Sequence, residues 1–342
     1  MTWTATGTPA LSQTESIRLV RMTAVVACAF GAAILSWQFF RFLVVFPGPA
    51  LLAVVLEIPL LVVGFVLVRL ARPVRPPPFA WSAAAAAWGA TAAAGCALLA
   101  NKGLIGLWSK SAGVQFAANW SASLSAPLNE ETLKLCGVIM IVLAAPRVIQ
   151  GPLDGMIIGA LVGLGFQATE NVTYGLNNIV LAGATDPGRA VIDSALVRIG
   201  LTALGSHWTM TAVAGAGVGY IVARLRGAEH GGVLAGVACL LTAMAMHLLF
   251  DAPQLAIAIK VGVNFAIVLV LYLLLSNAYL GRAHRVGADW TSAGIITADE
   301  SAILLSRWRR RRELAGAATA SERGRLAARQ AALLTDIERA AA

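Results

Sequence analysis

The chain contains 342 residues, of which 58% are hydrophobic and only 13% are charged. Soluble domains carry about a quarter charged residues, so this composition excludes an ordinary water-soluble enzyme, and the high hydrophobicity excludes a disordered chain. The formal net charge of +9 fits basic loops that face anionic lipid, which argues against a nucleic-acid partner. The sequence therefore predicts an all-α fold, a polytopic bundle of membrane-spanning helices.

Eight segments are long and apolar enough to span a membrane, which takes about 20 residues. Residues 1–17 are rich in Thr and Ser and predict a flexible N-terminal tail before a bundle over 18–281. The predicted helices lie near 20–40, 49–71, 79–101, 127–146, 152–175, 196–223, 231–252 and 261–281. In the fifth of them, Gly155, Gly159 and Gly163 line one face at a spacing that allows helices to pack closely in lipid.

Basic residues concentrate at one set of predicted helix ends, and the positive-inside rule places these ends and both termini in the cytoplasm. These residues are Arg18, Arg21, Arg69, Arg72, Arg75, Arg147, Arg224 and Arg226. On the opposite side, residues 102–126 connect the third and fourth predicted helices. Trp108, Phe116 and Trp120 predict that this connection is an interfacial segment.

Residues 282–342 follow the last predicted span and are rich in arginine. Trp308 and the arginines at 309–312 predict that this cytoplasmic tail contacts anionic headgroups of membrane lipids. The alanine-rich stretch from about residue 313 onward is compatible both with a helix and with a solvated spacer.

Ionisable residues inside membrane spans are energetically costly and by default indicate a functional site. Four predicted helices carry them, together with neighbouring polar and aromatic residues, and the predicted topology places all four sets in the outer half of the membrane. The four sets are Glu130, Glu131 and Lys134; Phe166, Glu170, Asn171 and Tyr174; His207; and His247 with Asp251. Because they share one depth, we expect them to form a single site. Glu57, in the second helix, has no predicted partner.

The spacing of these residues is compatible with acid–base chemistry. Glu130 and Lys134 are four residues apart, as are His247 and Asp251, so each pair shares one helix face. A carboxylate beside an imidazole fixes the tautomer of the ring, and paired carboxylates suit one of them to general-base work on water. Each group alone also has a structural interpretation, as a helix-dipole charge, an interhelical hydrogen bond or an ion pair. Their combination favours a catalytic site.

The order of these motifs resembles that of the PrsW family of intramembrane proteases, which is related to the type II CAAX prenyl endopeptidases and bacteriocin-immunity-like membrane proteins. The resemblance covers about residues 125–255, the predicted catalytic core. It implies catalytic roles for Glu130, Glu131, Glu170, His207, His247 and Asp251, and supporting roles for Lys134, Phe166, Asn171 and Tyr174.

The resemblance implies a multi-pass protein of the bacterial plasma membrane that cuts a membrane protein near the extracytoplasmic membrane face. The implied substrate is a single-pass protein of the anti-sigma-factor kind, and the implied nucleophile is water activated by glutamate. The CAAX relatives often carry His or Asn where this chain has Glu170, Asn171 and Asp251. This difference favours the PrsW-like branch and argues against a prenylated substrate.

The residues leave the metal requirement open. The chain has no His-Glu-x-x-His motif, the commonest zinc-protease signature. His207, His247 and Glu131 could nevertheless hold zinc and leave a fourth position for water. Without a metal, Glu130 or Glu131 would activate water while the two histidines stabilise the oxyanion, and the adjacent glutamates favour this metal-free version.

Two other functions could use the same residues. Intramembrane Glu, His and Asp also form the proton relays of transporters, although the chain shows no internal repeat and its polar groups cluster in one leaflet. The third hypothesis is a non-catalytic membrane protein of the same fold that acts in binding or immunity. The retained glutamates and histidines argue against it.

Overall fold

The computed structural model describes residues 12–341, and within this range the chain forms thirteen α-helices and no strand. The helices are α1 (Gln13–Val45), α2 (Pro47–Ala71), α3 (Phe79–Trp88), α4 (Ala94–Ser111), α5 (Val114–Ala144), α6 (Pro152–Leu181), α7 (Pro187–Ala195), α8 (His207–Leu225), α9 (Val233–Asp251), α10 (Ile257–Ser292), α11 (Ala298–Leu304), α12 (Arg307–Ala315) and α13 (Ala320–Ala341). A π-helical segment, Gly89–Ala93, joins α3 to α4 without interruption. The all-α prediction is confirmed.

Each of the eight predicted spans overlaps helical residues, although the sixth overlaps a broken segment. Six of these segments in the described part of the chain are long and apolar enough to cross a membrane. The remaining two are α5 and α8, which carry much of the polar cluster described below. The first helix begins at Gln13, directly after a Ser12 capping box, so the end of the predicted flexible tail is helical. Residues 1–11 of that predicted tail lie outside the described residues.

The connection predicted at residues 102–126 is wrong. These residues belong to two long antiparallel helices, since α4 continues to Ser111 and α5 begins at Val114. The turn between them uses Gly113, whose φ of 94° is a conformation that favours glycine. Pro127, which suggested a helix start, lies inside α5 because a membrane helix tolerates a proline when its neighbours satisfy the freed backbone group.

The start predicted for the sixth helix is also wrong, because α8 begins at His207 and not near residue 196. The preceding stretch is broken into α7, a π-helical segment (Leu196–Leu201) and a short 3-10 turn (Ala203–Gly205). Apolar composition cannot distinguish such a broken segment from a continuous span. His207 therefore lies at the first residue of a helix, where its neighbours come from several elements.

The glycine stripe of α6 sets the position of α8. A Cβ atom added to Gly155, Gly159 or Gly163 would lie within 2.5 Å of a backbone oxygen of α8. Helix α6 is almost entirely buried and lies at the centre of the bundle. The close helix packing predicted from these glycines is confirmed, and it brings the polar ends of α6 and α8 together.

The C-terminal region packs against the bundle at the end where α2 finishes. Helix α10 extends to Ser292, beyond the predicted boundary at 282, and the alanine-rich stretch forms α13. Buried Glu338 of α13 accepts hydrogen bonds from Arg72 and Arg75, and Arg72 also pairs with Asp154 at the start of α6. The tail is therefore joined to the bundle by ion pairs.

Candidate active site

The polar side chains of four helices meet around one buried lysine. Lys134 of α5 is fully buried, and its Nζ atom donates to Glu131 Oε1 at 2.6 Å and lies 3.6 Å from Glu130 Oε2. Its Nζ atom also lies 3.0 Å from Nδ1 of His207 and 4.1 Å from the centre of the Phe166 ring. Lys134 thus compensates the charge of the two buried glutamates.

Glu131 holds the neighbouring helices in place. Its Oε1 atom is 2.9 Å from Nδ1 of His247 on α9 and also accepts from Lys134, and its Oε2 atom accepts from the Thr211 hydroxyl of α8 at 3.2 Å. Both oxygens therefore have protein partners. Glu131 fixes α5, α8 and α9 relative to one another, and protein donors engage both of its oxygens.

Glu130 has a different environment, although it is the adjacent residue and is equally buried. Its Oε1 atom accepts from the amide of Asn101 on α4 at 2.9 Å, but its Oε2 atom has no hydrogen-bond partner. Oε2 lies 3.8 Å from Nδ1 of His207 and 3.7 Å from Nε2 of His247. A buried carboxylate oxygen without a partner is costly, so this position suits a water molecule or a cation.

Each histidine is held by a carboxylate on one side and faces Glu130 on the other. Nε2 of His207 lies 2.7 Å from Glu170 Oε2, while Nδ1 faces Glu130 and Lys134. Nδ1 of His247 is bonded to Glu131, while Nε2 faces Glu130 and lies 3.5 Å from Asp251 Oδ2. A carboxylate on one ring nitrogen fixes the tautomer and presents the other nitrogen as a ligand or acceptor.

A second polar chain leads from His207 to α2. Glu170 and Asn171 both accept from the guanidinium of Arg198, which stacks 4.1 Å from the centre of the Tyr174 ring. The Asn171 amide donates to Glu57 Oε2 at 3.1 Å. Glu57, for which the sequence predicted no partner, is therefore connected to the site through Asn171.

A cavity of 290 Å³ opens onto this cluster. Glu130, Glu170, His207 and Asp251 line it, whereas Glu131 does not. From His207, about 27 Å of α8 leads to its end at Leu225 at 1.5 Å per residue. The cavity thus lies toward the end of the bundle opposite the basic helix ends, as the sequence predicts.

A model of the PrsW family of intramembrane metalloproteases matches residues 77–276, more than half of the chain. The chain belongs to the PrsW family. No curated protein and no solved structure matches it significantly. The matched region runs from the loop before α3 into α10, so it includes the whole predicted core, whereas Glu57 lies before it. Together with the apolar helices, membership of the PrsW family identifies a multi-pass membrane protein.

The site residues fit the divalent metal that the description of the PrsW family implies. Glu130, His207 and His247 can each offer one ligand atom, and these atoms lie within 4.8 Å of one another. One carboxylate and two imidazoles with room for water resemble the ligand set of catalytic zinc sites. The group contains Glu130 where the sequence predicted Glu131, because Glu131 already binds Lys134 and His247.

The ammonium of Lys134 affects whether His207 can bind a metal. It lies within hydrogen-bond distance of His207 Nδ1, the nitrogen that faces Glu130. A metal at this nitrogen therefore requires Lys134 to release His207 while it keeps its bond to Glu131. Without such a shift, His207 accepts from Lys134 and donates to Glu170.

The structure brings the predicted residues of all four helices into one cluster, while their catalytic roles stay predictions. The sequence-based prediction of the site did not include Asn101, Thr211 or Arg198. The signal for Arg198 was a charged residue inside an apolar run of a predicted span. Asn101 gave a weaker signal, since a polar residue at the end of a predicted helix is common.

Proposed function

We propose that this protein is an endopeptidase that hydrolyses a peptide bond of a membrane-protein substrate in the cavity beside Glu130. The proposal rests on Glu130, which lines a cavity and has one buried carboxylate oxygen that faces two histidines without a hydrogen-bond partner. This arrangement suits activation of water next to a bound carbonyl group. Membership of the PrsW family supports membrane protease activity.

In the form that the ligand set supports best, Glu130, His207 and His247 hold a divalent metal such as zinc. The metal, when bound, polarises a peptide carbonyl and makes water a stronger nucleophile. Glu131 and Glu170 orient the two histidines. Asp251 lines the cavity beside His247, where its carboxylate can take up a proton and return it to the leaving amine.

The contact between Lys134 and His207 favours a metal-free alternative. In that version Glu130 Oε2 takes the proton from water, and Arg198 and the histidines stabilise negative charge on the substrate. The metal content of the purified protein separates the two versions. The metal-dependent version predicts about one equivalent of bound metal in the wild type and none in His207→Ala. It also predicts that chelation abolishes activity and that added zinc restores it. Full activity of the metal-free protein would support the version in which Glu130 activates water without a metal.

The substrate class in this proposal is a single-pass membrane protein of the anti-sigma-factor kind, cut near the extracytoplasmic face of the bacterial plasma membrane. The position of the cavity supports this choice, because it lies among membrane-spanning helices and toward the end opposite the basic residues. A substrate segment at that depth lies at the boundary of its own membrane span.

The test is cleavage by purified protein in liposomes that contain candidate single-pass substrates. New termini identified by mass spectrometry are expected for the wild type and absent for Glu130→Gln. Gly103→Ala serves as a control, since Gly103 has open space around its Cα atom. Proton or solute flux without cleavage would indicate a transporter, and substrate binding without either activity would indicate a non-catalytic protein.

A further inference from the structure

Helix α12 is fixed beside the end of a membrane-spanning helix. Arg307 donates to the backbone oxygens of Leu70 and Val74, each at 3.0 Å, and buried Arg310 also donates to Val74. Leu70 lies in the last turn of α2, which is one of the candidate spans. These bonds therefore hold α12 at the level where α2 leaves the membrane.

The other faces of α12 expose an aromatic ring and three cations. Trp308 is 65% exposed, and the Arg312 guanidinium lies 5.2 Å from the centre of its ring. Arg309 and Arg311 are exposed as well. Among residues 12–341, no carboxylate forms an ion pair with Arg309, Arg311 or Arg312. Nothing in the described part of the chain thus neutralises this surface.

The basic run at 309–312 therefore has two different roles. Arg310 points inward and anchors the helix, in contrast to the prediction that all four arginines contact lipid. The remaining exposed residues, Trp308, Arg309, Arg311 and Arg312, form a surface that we call the α12 face.

We propose that the α12 face binds the headgroups of anionic phospholipids in the adjoining leaflet. Tryptophan is enriched at the level of lipid headgroups, and arginine binds phosphate through a planar fork of donors. The depth of α12 selects a lipid over a soluble acidic partner, because the bonds from Arg307 and Arg310 keep the helix beside the end of a span. The three unpaired cations provide the charge complementarity.

The experiment measures lipid binding to the full-length protein in detergent by native mass spectrometry. Phosphatidylglycerol and phosphatidylcholine with identical acyl chains are titrated separately against the wild type and two variants. One variant replaces Arg309, Arg311 and Arg312 with Gln. The control replaces Arg323, Arg325 and Arg329, three exposed arginines of α13, and so removes the same charge from the same tail.

The wild type and the α13 control are expected to bind phosphatidylglycerol more tightly than phosphatidylcholine. The α12 variant should bind phosphatidylglycerol about tenfold more weakly or worse, since each basic residue near the surface contributes separately. Equal loss in both variants, or no preference of the wild type for the anionic lipid, would overturn the proposal.

A second measurement makes the result independent of other lipid sites on the bundle. Hydrogen exchange of residues 307–315 is compared in nanodiscs of phosphatidylglycerol and of phosphatidylcholine, with the melting temperature of each variant as a check on folding. If exchange is slower in the anionic discs for the wild type and not for the α12 variant, the α12 face binds anionic lipid. Identical exchange in both discs contradicts it, whatever the protease activity of the protein.

Discussion

The two adjacent glutamates of α5 have different surroundings, and this difference defines the centre of the site. Glu131 is bonded by three side chains from three helices, whereas Glu130 lines the cavity and has one oxygen without a hydrogen-bond partner. A residue with every acceptor occupied stabilises the structure, and one with a free acceptor is available for chemistry. We therefore assign the reaction to Glu130 and the positioning of the histidines to Glu131 and Glu170.

Substituting the two glutamates in turn tests this assignment. Glu130→Gln keeps the hydrogen bond from Asn101 and should lower the cleavage rate about 10²–10⁴-fold with little change in melting temperature. Glu131→Gln leaves Lys134 with a weaker partner and should lower the free energy of unfolding by roughly 3 kcal/mol. Thermal unfolding and cleavage rates are measured for both variants. A large loss of stability in Glu130→Gln, with a large loss of activity only in Glu131→Gln, would refute the assignment.

Glu57 is a positioning residue in this account. Glu57→Leu removes the acceptor of the Asn171 amide, which in turn orients Arg198 against Glu170. Loss of such an outer contact typically costs 10–100-fold in activity, and we expect this loss in kcat and not in KM. Glu57→Gln retains an acceptor oxygen and serves as the matched control. Equal activity of the Leu and Gln variants would exclude the connection.

The sequence predicted the ionisable residues of the cluster and the pairs within one helix, Glu130 with Lys134 and His247 with Asp251, but not the contacts between helices. The charges were visible because a membrane span contains few of them. Which of Glu130 and Glu131 faces the cavity depends on the rotation of α5, which also requires the positions of α4 and α9. Arg198 reaches Glu170 from a broken helical segment, and the amino-acid composition does not predict the path of that segment.

The contact between α6 and α8 determines how the central helices of the bundle pack. A methyl group at Gly159 would lie 2.2 Å from the backbone oxygen of Thr211. Since both helices are packed against others, α8 cannot move away freely. The glycine stripe therefore controls the position of His207 and Thr211 relative to α6.

Gly159→Ala should for this reason lower both stability and activity. Overpacking of this kind typically costs 1–3 kcal/mol, and displacement of α8 would carry His207 away from Glu170. The control is Gly103→Ala in α4, where a methyl group meets nothing within 4 Å and helix propensity improves. Melting temperature and cleavage rate are measured for both. Unchanged stability of Gly159→Ala would contradict the packing.

The approximate positions of the long helices were predictable, because length and hydropathy define spans. Their ends were less predictable. Pro127 suggested a helix start in a helix that tolerates it, and the apolar run from 196 concealed a break before His207. Both errors concern backbone geometry that tertiary contacts decide.

For the whole molecule, the tail and the bundle form one connected structure through Glu338. This carboxylate accepts from Arg72 and Arg75, and Arg72 pairs with Asp154 at the start of the central helix. These pairs link α13 to the end of α2 and to the start of α6. Their burial makes them structurally significant, unlike exposed pairs.

Glu338→Ala should lower the free energy of unfolding by about 2 kcal/mol, since it removes hydrogen bonds between charged groups. The matched control is Asp336→Ala, which breaks an exposed pair with Arg339 and should have almost no effect. Thermal unfolding of the two variants provides the comparison. Similar melting temperatures for both would show that the ion pairs of Glu338 do not stabilise the protein.

We expect the cleavage of membrane proteins to depend on the polar cluster around Glu130. The most direct test compares newly formed protein termini in membranes from cells that express equal amounts of wild type or Glu130→Gln. We expect a small set of new termini at the boundaries of membrane spans, present with the wild type and absent with the variant. Identical termini in both membranes, with the wild type folded and a candidate substrate present, would contradict it.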